Sequence, residues 1–399
     1  MPASLSTQNI LLVSFDWSTL VEMPYLLKQA GCHVDVLCPS SNWAIKNSFY
    51  DRWIDAGDSL ESLISRLEKV VNRENYDYVM IGDDPILWKI YLEKNTTLRY
   101  LLPIGNEMAL PILNKIGFAK YCHNLEIPSP DFQVLRNQSE AYQTLKTMGL
   151  PLVVKENYSN GGNGVTVYED VQSYDRFMAR YDFVQPLLAQ RFIKGRHIAV
   201  EALFKGGKLL QYICSVVSGD DLGPSSKRQY IDNDDQIGAI INKLGMSALL
   251  HGFANITLIQ DKNNQTYYLI EADPRPNKWV PYGRWFGRDF AIAFKSFLAA
   301  NDDNLPVCIA TSEEVQCKEV EHFDSHLAKL LRSGQQVEAL FHLLDFDKNF
   351  RYTVYDPVLL KAKMDNLYRQ LLPQRAALEA NTGRYRAEHQ SLPTASATD

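Results

Sequence analysis

Hydrophobic and polar positions form two alternating patterns along the first hundred residues. Short, nearly continuous apolar runs predict buried strands, and they alternate with segments whose apolar residues recur at helical spacing, such as SLESLISRLEKVVNREN. The runs that predict strands are NILLVSF, HVDVLCP, YDYVMIG and YLLPIG. Strands that alternate with helices in this way favour an α/β unit built on a parallel sheet.

The middle of the chain changes to strands that are joined by short turns. LPLVVKENYSNGGNGVTVYED predicts two strands around a glycine-rich hairpin loop, and FANITLIQ and TYYLIEAD predict a second hairpin. A polar stretch, SGDDLGPSSKRQYIDND, predicts a loop over a site. Beyond residue 300, SHLAKLLRSGQQVEALFHLL and DPVLLKAKMDNLYRQLL predict helices before a polar tail, SLPTASATD. These helices could pack on the preceding domain or form a dimer interface.

Composition narrows the class of protein. The chain has 399 residues, of which 46% are hydrophobic and 22% charged, so it can bury a full core. A net charge of −6 argues against a general binder of nucleic acid or acidic membranes. No apolar stretch approaches the roughly 18 residues of a spanning helix. Six scattered cysteines without a CxxC pair, and a polar N-terminus, predict a reduced, cytoplasmic protein without a zinc site.

The stretch LIEADPRPN carries the first candidate chemistry. On a strand, Glu271, Asp273 and Arg275 share one face, and Pro274 and Pro276 end the strand ladder. Two carboxylates and a guanidinium can satisfy one another as an ionic cluster. They can also form a divalent-cation site in which the arginine faces a phosphate. The choice depends on whether the rest of the chain binds a nucleotide.

The glycine-rich loop after Lys155 is the second candidate. Glycines allow backbone amides to approach phosphate oxygens closely, and a lysine at the strand end adds a matching charge. The alternative is a surface hairpin with a solvated lysine. No G-x-G-x-x-G follows the first strand and no Gly-Lys-Ser follows the loop, so neither nicotinamide-dinucleotide binding nor a Walker A loop is predicted.

These motifs occur in an order that resembles the ATP-grasp superfamily, which includes biotin carboxylase, D-alanine–D-alanine ligase and the large subunit of carbamoyl phosphate synthetase. The resemblance covers roughly residues 5–290 and rests on NKIGFAKYCHNLEIPSP, VVKENYSNGGNGV, QRFIKG and the E-x-N-x-R-like triplet. Arg191 replaces the common glutamate of the third motif, and Asp273 replaces the asparagine of the fourth. FANITLIQ carries Thr257 where the family has a metal-binding residue, so the second metal site depends on Asn255 or Gln260.

The resemblance implies roles for particular residues. It implies nucleotide binding by Lys115, Lys155, Gly161, Gly162, Gly164, Gln190, Arg191, Phe192, Ile193 and His197. It implies that Glu271 and Asp273 hold Mg²⁺, or Mn²⁺ in its place, and that Arg275 and Lys155 act in catalysis. The candidate groups for substrate are Lys227, Arg228, Arg284 and Arg288.

The resemblance also implies a fold of the α/β (α+β) class. We expect an ATP-grasp fold with an N-terminal Rossmann-like parallel-sheet domain, a mobile lid, an antiparallel-sheet C-lobe and a C-terminal helical segment. The predicted boundaries are 1–110 for the N-terminal domain, 111–188 for the lid, 189–305 for the C-lobe with the metal site, and 306–399 for the helical extension and tail.

The predicted function is ATP-dependent ligation of a carboxylate to an amine or thiol, through an acylphosphate and with release of ADP. The alternatives are a bicarbonate-activating, carboxylase-like enzyme and a nucleotide-binding module that no longer catalyses. The expected partners are small carboxylate and amine substrates, with neither nucleic acid nor membrane, and the chain could form a homodimer.

Overall fold

The computed structural model describes residues 7–15, 20–93, 97–217, 225–299, 319–345 and 356–369. The chain forms two compact units, residues 1–321 and 322–399, which are described separately. No helix within the described ranges is long and apolar enough to cross a membrane. The described cysteines, Cys32, Cys38, Cys122 and Cys214, are buried and form no disulfide, whereas Cys308 and Cys317 lie outside these ranges.

The first unit begins with the predicted parallel sheet. Its strands are β1 (Asn9–Val13), β2 (His33–Cys38), β3 (Arg52–Asp55) and β4 (Tyr78–Ile81). They lie in the order β3-β2-β1-β4 and every neighbouring pair is parallel. The helices of this domain are α1 (Met23–Gln29), α2 (Leu60–Val71) and α3 (Asp84–Leu92). Because β1 is central and the chain crosses it between β3 and β4, α3 starts at the carboxyl edge of the sheet beside β1.

One predicted strand in this domain is wrong. The first two residues of YLLPIG belong to a 3-10 helix, Arg99–Leu101, and Ile104 makes only an isolated bridge to Leu250. Pro103 has no N–H group to donate to a strand ladder. The fourth strand is instead β3, whose polar, mostly exposed sequence RWID lacks the apolar run that marks a buried strand.

The lid follows a 3-10 helix, Glu107–Leu113, and helix α4 (Lys115–Asn124). Its strands are β5 (Phe132–Leu135), β6 (Leu152–Glu156), β7 (Val165–Tyr168) and β8 (Leu187–Arg191), with helices α5 (Gln138–Met148) and α6 (Val171–Met178). The strands form an antiparallel sheet in the order β5-β8-β6-β7. The lid has its own apolar core, which includes Leu152, Tyr174 and Leu187.

The C-lobe is built on a six-stranded antiparallel sheet. Its strands are β9 (Gly195–Lys205), β10 (Lys208–Val217), β11 (Lys227–Ile231), β12 (Gly252–Asp261), β13 (Tyr267–Asp273) and β14 (Glu319–Glu321). The order is β13-β12-β9-β10-β11-β14. Helix α7 (Asp235–Ala248) covers one face; a 3-10 helix, Val280–Phe286, and α8 (Phe290–Ala299) cover the other.

Part of the predicted loop SGDDLGPSSKRQYIDND is therefore a strand, and that prediction is wrong for KRQYI. Arg228 and Tyr230 of β11 are buried while Gln229 between them is exposed, which is the alternation of a strand with one covered face. The polar residues around it concealed this short pattern in the sequence. Residues 218–224 of the same stretch lie outside the described residues.

The second unit contains the predicted helices of the C-terminal segment. They are α9 (Phe323–Arg332), α10 (Gln336–Leu344) and α11 (357–369). Leu327, Leu330 and Leu367 form part of a small apolar core, and the Lys363 ammonium lies 3.5 Å from an Asp324 carboxylate oxygen. The polar tail SLPTASATD lies outside the described residues.

The N-terminal sheet and the C-lobe pack tightly against each other. Tyr78 of β4 makes edge-to-face contacts with Phe294 and Phe297 of α8, with ring centroids 5.9 and 5.2 Å apart. Gly252, at the start of β12, has φ +107°, and a Cβ at this position would lie 1.9 Å from the Tyr78 hydroxyl. The close approach of the two domains thus requires glycine at residue 252.

We predict that Gly252→Ala lowers the free energy of unfolding by about 2–4 kcal/mol, because it adds both backbone strain and a steric clash. Gly206→Ala is the matched control: its φ is +54° but no atom lies within 4 Å of the added Cβ. This control is expected to cost only about 1 kcal/mol, from strain. Urea unfolding of both variants measures the difference.

Adding Tyr78→Phe to the Gly252→Ala variant removes the clashing oxygen and is expected to restore part of the lost stability. Equal destabilisation by the two alanines, or no rescue by phenylalanine, would show that the contact between the domains does not require this glycine.

Candidate active site

Lys155 lies near the end of lid strand β6, where Val165 of β7 and Leu188 of β8 flank it in the sheet. Only 8% of the residue is exposed. Burial lowers the pKa of its ammonium group to about 8; the nearby Glu271 carboxylate opposes this shift, and Lys115 adds to it. The sheet therefore holds a lysine whose charge is costly unless further negative charge arrives.

Lys115 is the first residue of α4. The Asn114 side chain accepts a hydrogen bond from the Gly117 N–H (2.8 Å) and so caps the helix. The Lys115 ammonium donates to the Ser159 carbonyl and lies 3.7 Å from Glu271 Oε1. Lys115 thus joins the start of α4, the lid loop and the acidic end of β13.

The glycine-rich loop between β6 and β7 is tied down at its start and open at its tip. The backbone N–H group of Lys115 donates a hydrogen bond to the Asn157 carbonyl (3.2 Å). The backbone N–H group of Ile116 donates to the Asn157 side-chain oxygen (3.0 Å). Gly161, Gly162 and Gly164 have φ of +61°, +82° and +68°, which other residues rarely adopt. The start of this loop is held in place and its tip is rich in glycine, and both features suit a loop that places backbone amides over an anion.

The predicted adenine-binding segment, Gln190–Ile193, runs from the end of lid strand β8 into the connection to β9. Gln190 and Ile193 are buried, whereas Arg191 pairs on the surface with Asp131 (2.9 Å). His197 follows on β9. Partial desolvation, together with the charge of Lys155, lowers the pKa of His197 below its usual value. His197 therefore lies near the Lys155 ammonium group.

Glu271 and Asp273 extend from one face of β13, as the sequence predicts for alternate residues of a strand. Their cross-strand partners on β12 are Thr257 for Glu271 and Asn255 for Asp273. Asn255 donates weakly to Asp273 Oδ2 (3.4 Å). Gln260 lies further along β12, opposite Tyr267, and binds Arg196 (2.8 Å).

The carboxylates around Asp273 make its surroundings suitable for a bound cation. Burial raises the pKa of Asp273, Arg275 opposes that shift, and the nearby Glu271 and Asp84 carboxylates add to it. The contacts from Arg275 and Asn255 both reach Oδ2. Oδ1 of Asp273 and the partly exposed carboxylate of Glu271 thus provide the hard oxygen ligands that Mg²⁺ prefers.

Arg275 is engaged by a residue that the sequence reasoning missed. Its Nε and Nη2 atoms lie 2.5 and 2.6 Å from the two carboxylate oxygens of Asp84, and Nη2 also lies 3.1 Å from Asp273 Oδ2. Asp84 begins α3 of the N-terminal domain. The available signal was Asp83-Asp84-Pro85, an acidic pair and a helix-starting proline directly after a buried strand.

Part of this set of groups encloses one small cavity, which Lys155, His197 and Arg275 do not line. It lies between α3, the start of α4, the lid loop and β13, and the residues that give it charge or hydrogen-bonding capacity include Asp84, Asn114, Lys115, Ser159, Glu271 and Asp273. The side chain of Trp88 lines the same space and packs edge-to-face on Tyr158 of the lid loop, with centroids 5.6 Å apart. Three parts of the chain thus meet at the acidic end of β13.

None of the four candidate substrate cations lines this cavity. Arg228 is buried; it pairs with Glu201 (2.5 Å) and stacks over Trp279. Lys227 pairs with Glu319 and Glu321 at 2.6 and 3.3 Å. Arg284 stacks on Trp285 and donates to the Tyr25 hydroxyl (2.8 Å), and Arg288 is half-buried.

The buried Arg228–Glu201 pair is linked to the acidic end of β13 by two amides. Asn277 donates to Glu201 Oε1 (3.1 Å) and to Asn255 Oδ1 (2.8 Å). Asn255 in turn faces Asp273. Glu201 could not be predicted as a partner of Arg228, because it sits within an apolar strand, HIAVEALF.

Comparisons with known proteins agree with this geometry. Residues 112–277 match a family model described as an ATP-grasp domain. The carbamoyl phosphate synthase large chain of Clostridium acetobutylicum is 25% identical over 283 residues, which cover 63% of this chain but only 26% of that protein.

Two solved structures share the fold. One is the N5-carboxyaminoimidazole synthetase from Staphylococcus aureus complexed with ADP, with a TM-score of 0.63, 15% identity, and coverage of 82% of this chain and 86% of that one. The other is the biotin carboxylase domain of the Hydrogenobacter thermophilus 2-oxoglutarate carboxylase, a dimer in complex with MgADP and bicarbonate. Its TM-score is 0.58 at 14% identity, with coverage of 75% and 71%.

The chain therefore has the ATP-grasp fold, and residues 112–277 match the model of an ATP-grasp domain. The predicted fold class and the resemblance drawn from the sequence are confirmed.

The buried lysine generates a prediction that does not depend on function. Because the folded pKa of Lys155 is about 8 and the unfolded value is 10.5, the unfolded chain binds more protons between these values, and stability from this residue rises with pH across that window. At pH 7 the burial of the charge costs about 3 kcal/mol.

Lys155→Met should accordingly be more stable than the wild type at pH 7, and the advantage should shrink towards pH 10. Urea unfolding at several pH values measures this difference. Lys120→Met, at an exposed position of α4, is the control and should show no such trend. A Lys155→Met difference that stays constant with pH would contradict the account of the buried charge.

Proposed function

We propose that this protein is an ATP-dependent, ADP-forming ligase that joins a carboxylate to an amine through an acylphosphate. The observation that carries the proposal is the convergence of Lys115, Glu271 and Asp273 on one cavity, with Lys155 close by. The resemblance to synthetases and carboxylases of the same fold supports it.

In the proposed complex, ATP occupies the cleft between the lid and the C-lobe. The segment Gln190–Ile193 faces the adenine, His197 the ribose, and the amides of the glycine tip the phosphates. The ammonium groups of Lys115 and Lys155 offset phosphate charge. Glu271 and Asp273 would hold Mg²⁺, which lowers the negative charge on the phosphate oxygens.

The substrate carboxylate then attacks the γ-phosphorus, the bond to the β-phosphate oxygen breaks, and ADP leaves. The amine attacks the acyl carbon, phosphate departs with the electrons of the C–O bond, and the amine gives up a proton. Arg275 lies at the end of β13, where its charge stabilises the transferring phosphoryl group. The protein contributes mainly position and charge, and the closed lid excludes water.

Bicarbonate is a second candidate for the carboxylate, because the biotin carboxylase domain of the same fold was solved with bicarbonate. The two candidates differ in a simple way. ADP release by an organic-acid ligase does not require added bicarbonate, whereas release by a bicarbonate-activating enzyme stops in bicarbonate-free buffer.

A carboxylate variant tests the proposed site. We expect Glu271→Gln to weaken Mg²⁺-dependent ATP binding and to lower ADP release from pools of acids and amines by about 100-fold or more, because one anionic oxygen ligand is lost. Calorimetry and a coupled ADP assay measure the two effects. Glu169→Gln, at an exposed lid position, is the control and should match the wild type. Full activity in Glu271→Gln would rule out this metal site.

Nucleotide binding should also take up a proton near pH 8. The free protein holds Lys155 half-protonated at about its pKa of 8, and phosphate oxygens beside it raise that pKa again. Binding at pH 8 therefore takes up roughly half a proton. Calorimetry in two buffers of different ionisation enthalpy measures the uptake. Lys155→Arg, which does not titrate, should abolish it; equal uptake by this variant would assign the proton to another group.

A further inference from the structure

The Arg275 guanidinium is held on one edge by a residue of a different domain. Asp84 engages Nε and Nη2 with its two oxygens, and Asp273 accepts a further contact from Nη2. Among the described residues, no hydrogen bond reaches Nη1. Both side chains of the Arg275–Asp84 pair are about nine-tenths buried, at 9% and 11% exposure. The guanidinium plane is thus fixed, with one nitrogen left for a further anion.

We propose that Asp84 is a positioning residue of the ATP site: it orients Arg275 so that Nη1 faces the γ-phosphate of bound ATP. The inference rests on the proposed function, because it takes ATP as the ligand. It adds that the N-terminal domain completes the phosphate end of the site, through a contact between residues 191 positions apart in the chain.

Geometry favours positioning over metal binding for Asp84. Both of its oxygens are already occupied by the arginine, in the two-point arrangement that matches a guanidinium to a carboxylate. Asp84 is also the first residue of the nine-residue helix α3, where the helix dipole favours a negative charge. Both observations assign the Asp84 carboxylate to holding Arg275.

The charges explain why the arginine needs this partner. Asp84, Asp273 and Glu271 line the cavity together, and Arg275 lies between the first two. With Asp273 as its sole partner, the guanidinium would keep a single contact at 3.1 Å and could rotate. Anchoring at two points removes that freedom before the phosphate binds, so less entropy is lost on binding.

A structural ion pair between domains would show the same contacts, so the test must separate the two roles. The readout is the ratio of the Kd for ADP to the Kd for the imido analogue of ATP, both with Mg²⁺, measured by calorimetry. This ratio reports the γ-phosphate interaction alone. It needs no acid or amine substrate and is unaffected by a loss of stability that leaves the protein folded.

We expect Asp84→Asn to lower this ratio by about tenfold, because a charge-assisted contact is lost, while the Kd for ADP stays at the wild-type value. Arg275→Lys should lower it similarly, since lysine cannot form the two-point contact. The double variant should resemble Arg275→Lys alone, because the two residues act as one unit. Asp58→Asn, an exposed aspartate of the same domain, should leave the ratio unchanged.

A wild-type ratio in Asp84→Asn, or strictly additive effects in the double variant, would reduce the pair to a structural contact and overturn the proposal. If Asp84→Asn does not fold, Asp84→Glu tests the same point: it keeps the charge but displaces the guanidinium, and a wild-type ratio would again overturn the proposal. A wild type that binds neither nucleotide would contradict the proposed function itself.

Discussion

The cleft depends on how the buried ammonium group of Lys155 is balanced, and the Glu271 carboxylate nearby on the C-lobe offsets only part of the cost of its burial. Burial penalises the charge, and the neighbouring Lys115 penalises it further. The carboxylates face the complementary difficulty, since Glu271, Asp273 and Asp84 are gathered around one cavity. Each set of like charges is less unfavourable while the other lies across the cleft, so the lysines and the carboxylates partly offset each other.

The charges in the cleft do not fully offset each other, and this leaves the cleft able to bind further ions. A lysine with a lowered pKa and an aspartate with a raised one are both short of opposite charge. A polyphosphate supplies negative charge to the lysines, and a divalent cation supplies positive charge to the carboxylates. On the proposed function, ATP offsets the charge of the lysines and magnesium offsets the charge of the carboxylates. This explains why the two ligands would bind together.

Much of this site was predictable from local sequence, and the remainder depends on contacts between distant parts of the chain. The alternation of LIEAD placed Glu271 and Asp273 on one face, and the glycine loop after VVK marked the lid, because both are short-range patterns. Asp84 and Arg275 are 191 positions apart in the chain, and no short-range sequence pattern predicts a contact between them. The same applies to Arg228, whose partner Glu201 is hidden within an apolar strand.

On the proposed function, the acidic end of β13 holds a cation beside the phosphates of a bound nucleotide. A crystal structure of the protein grown with ADP and Mn²⁺, with anomalous diffraction measured at the manganese edge, tests this directly. We expect an anomalous peak within bonding distance of Glu271 and Asp273, next to the β-phosphate. Nucleotide density in the cleft with no manganese at these carboxylates, or manganese bound elsewhere, would contradict it.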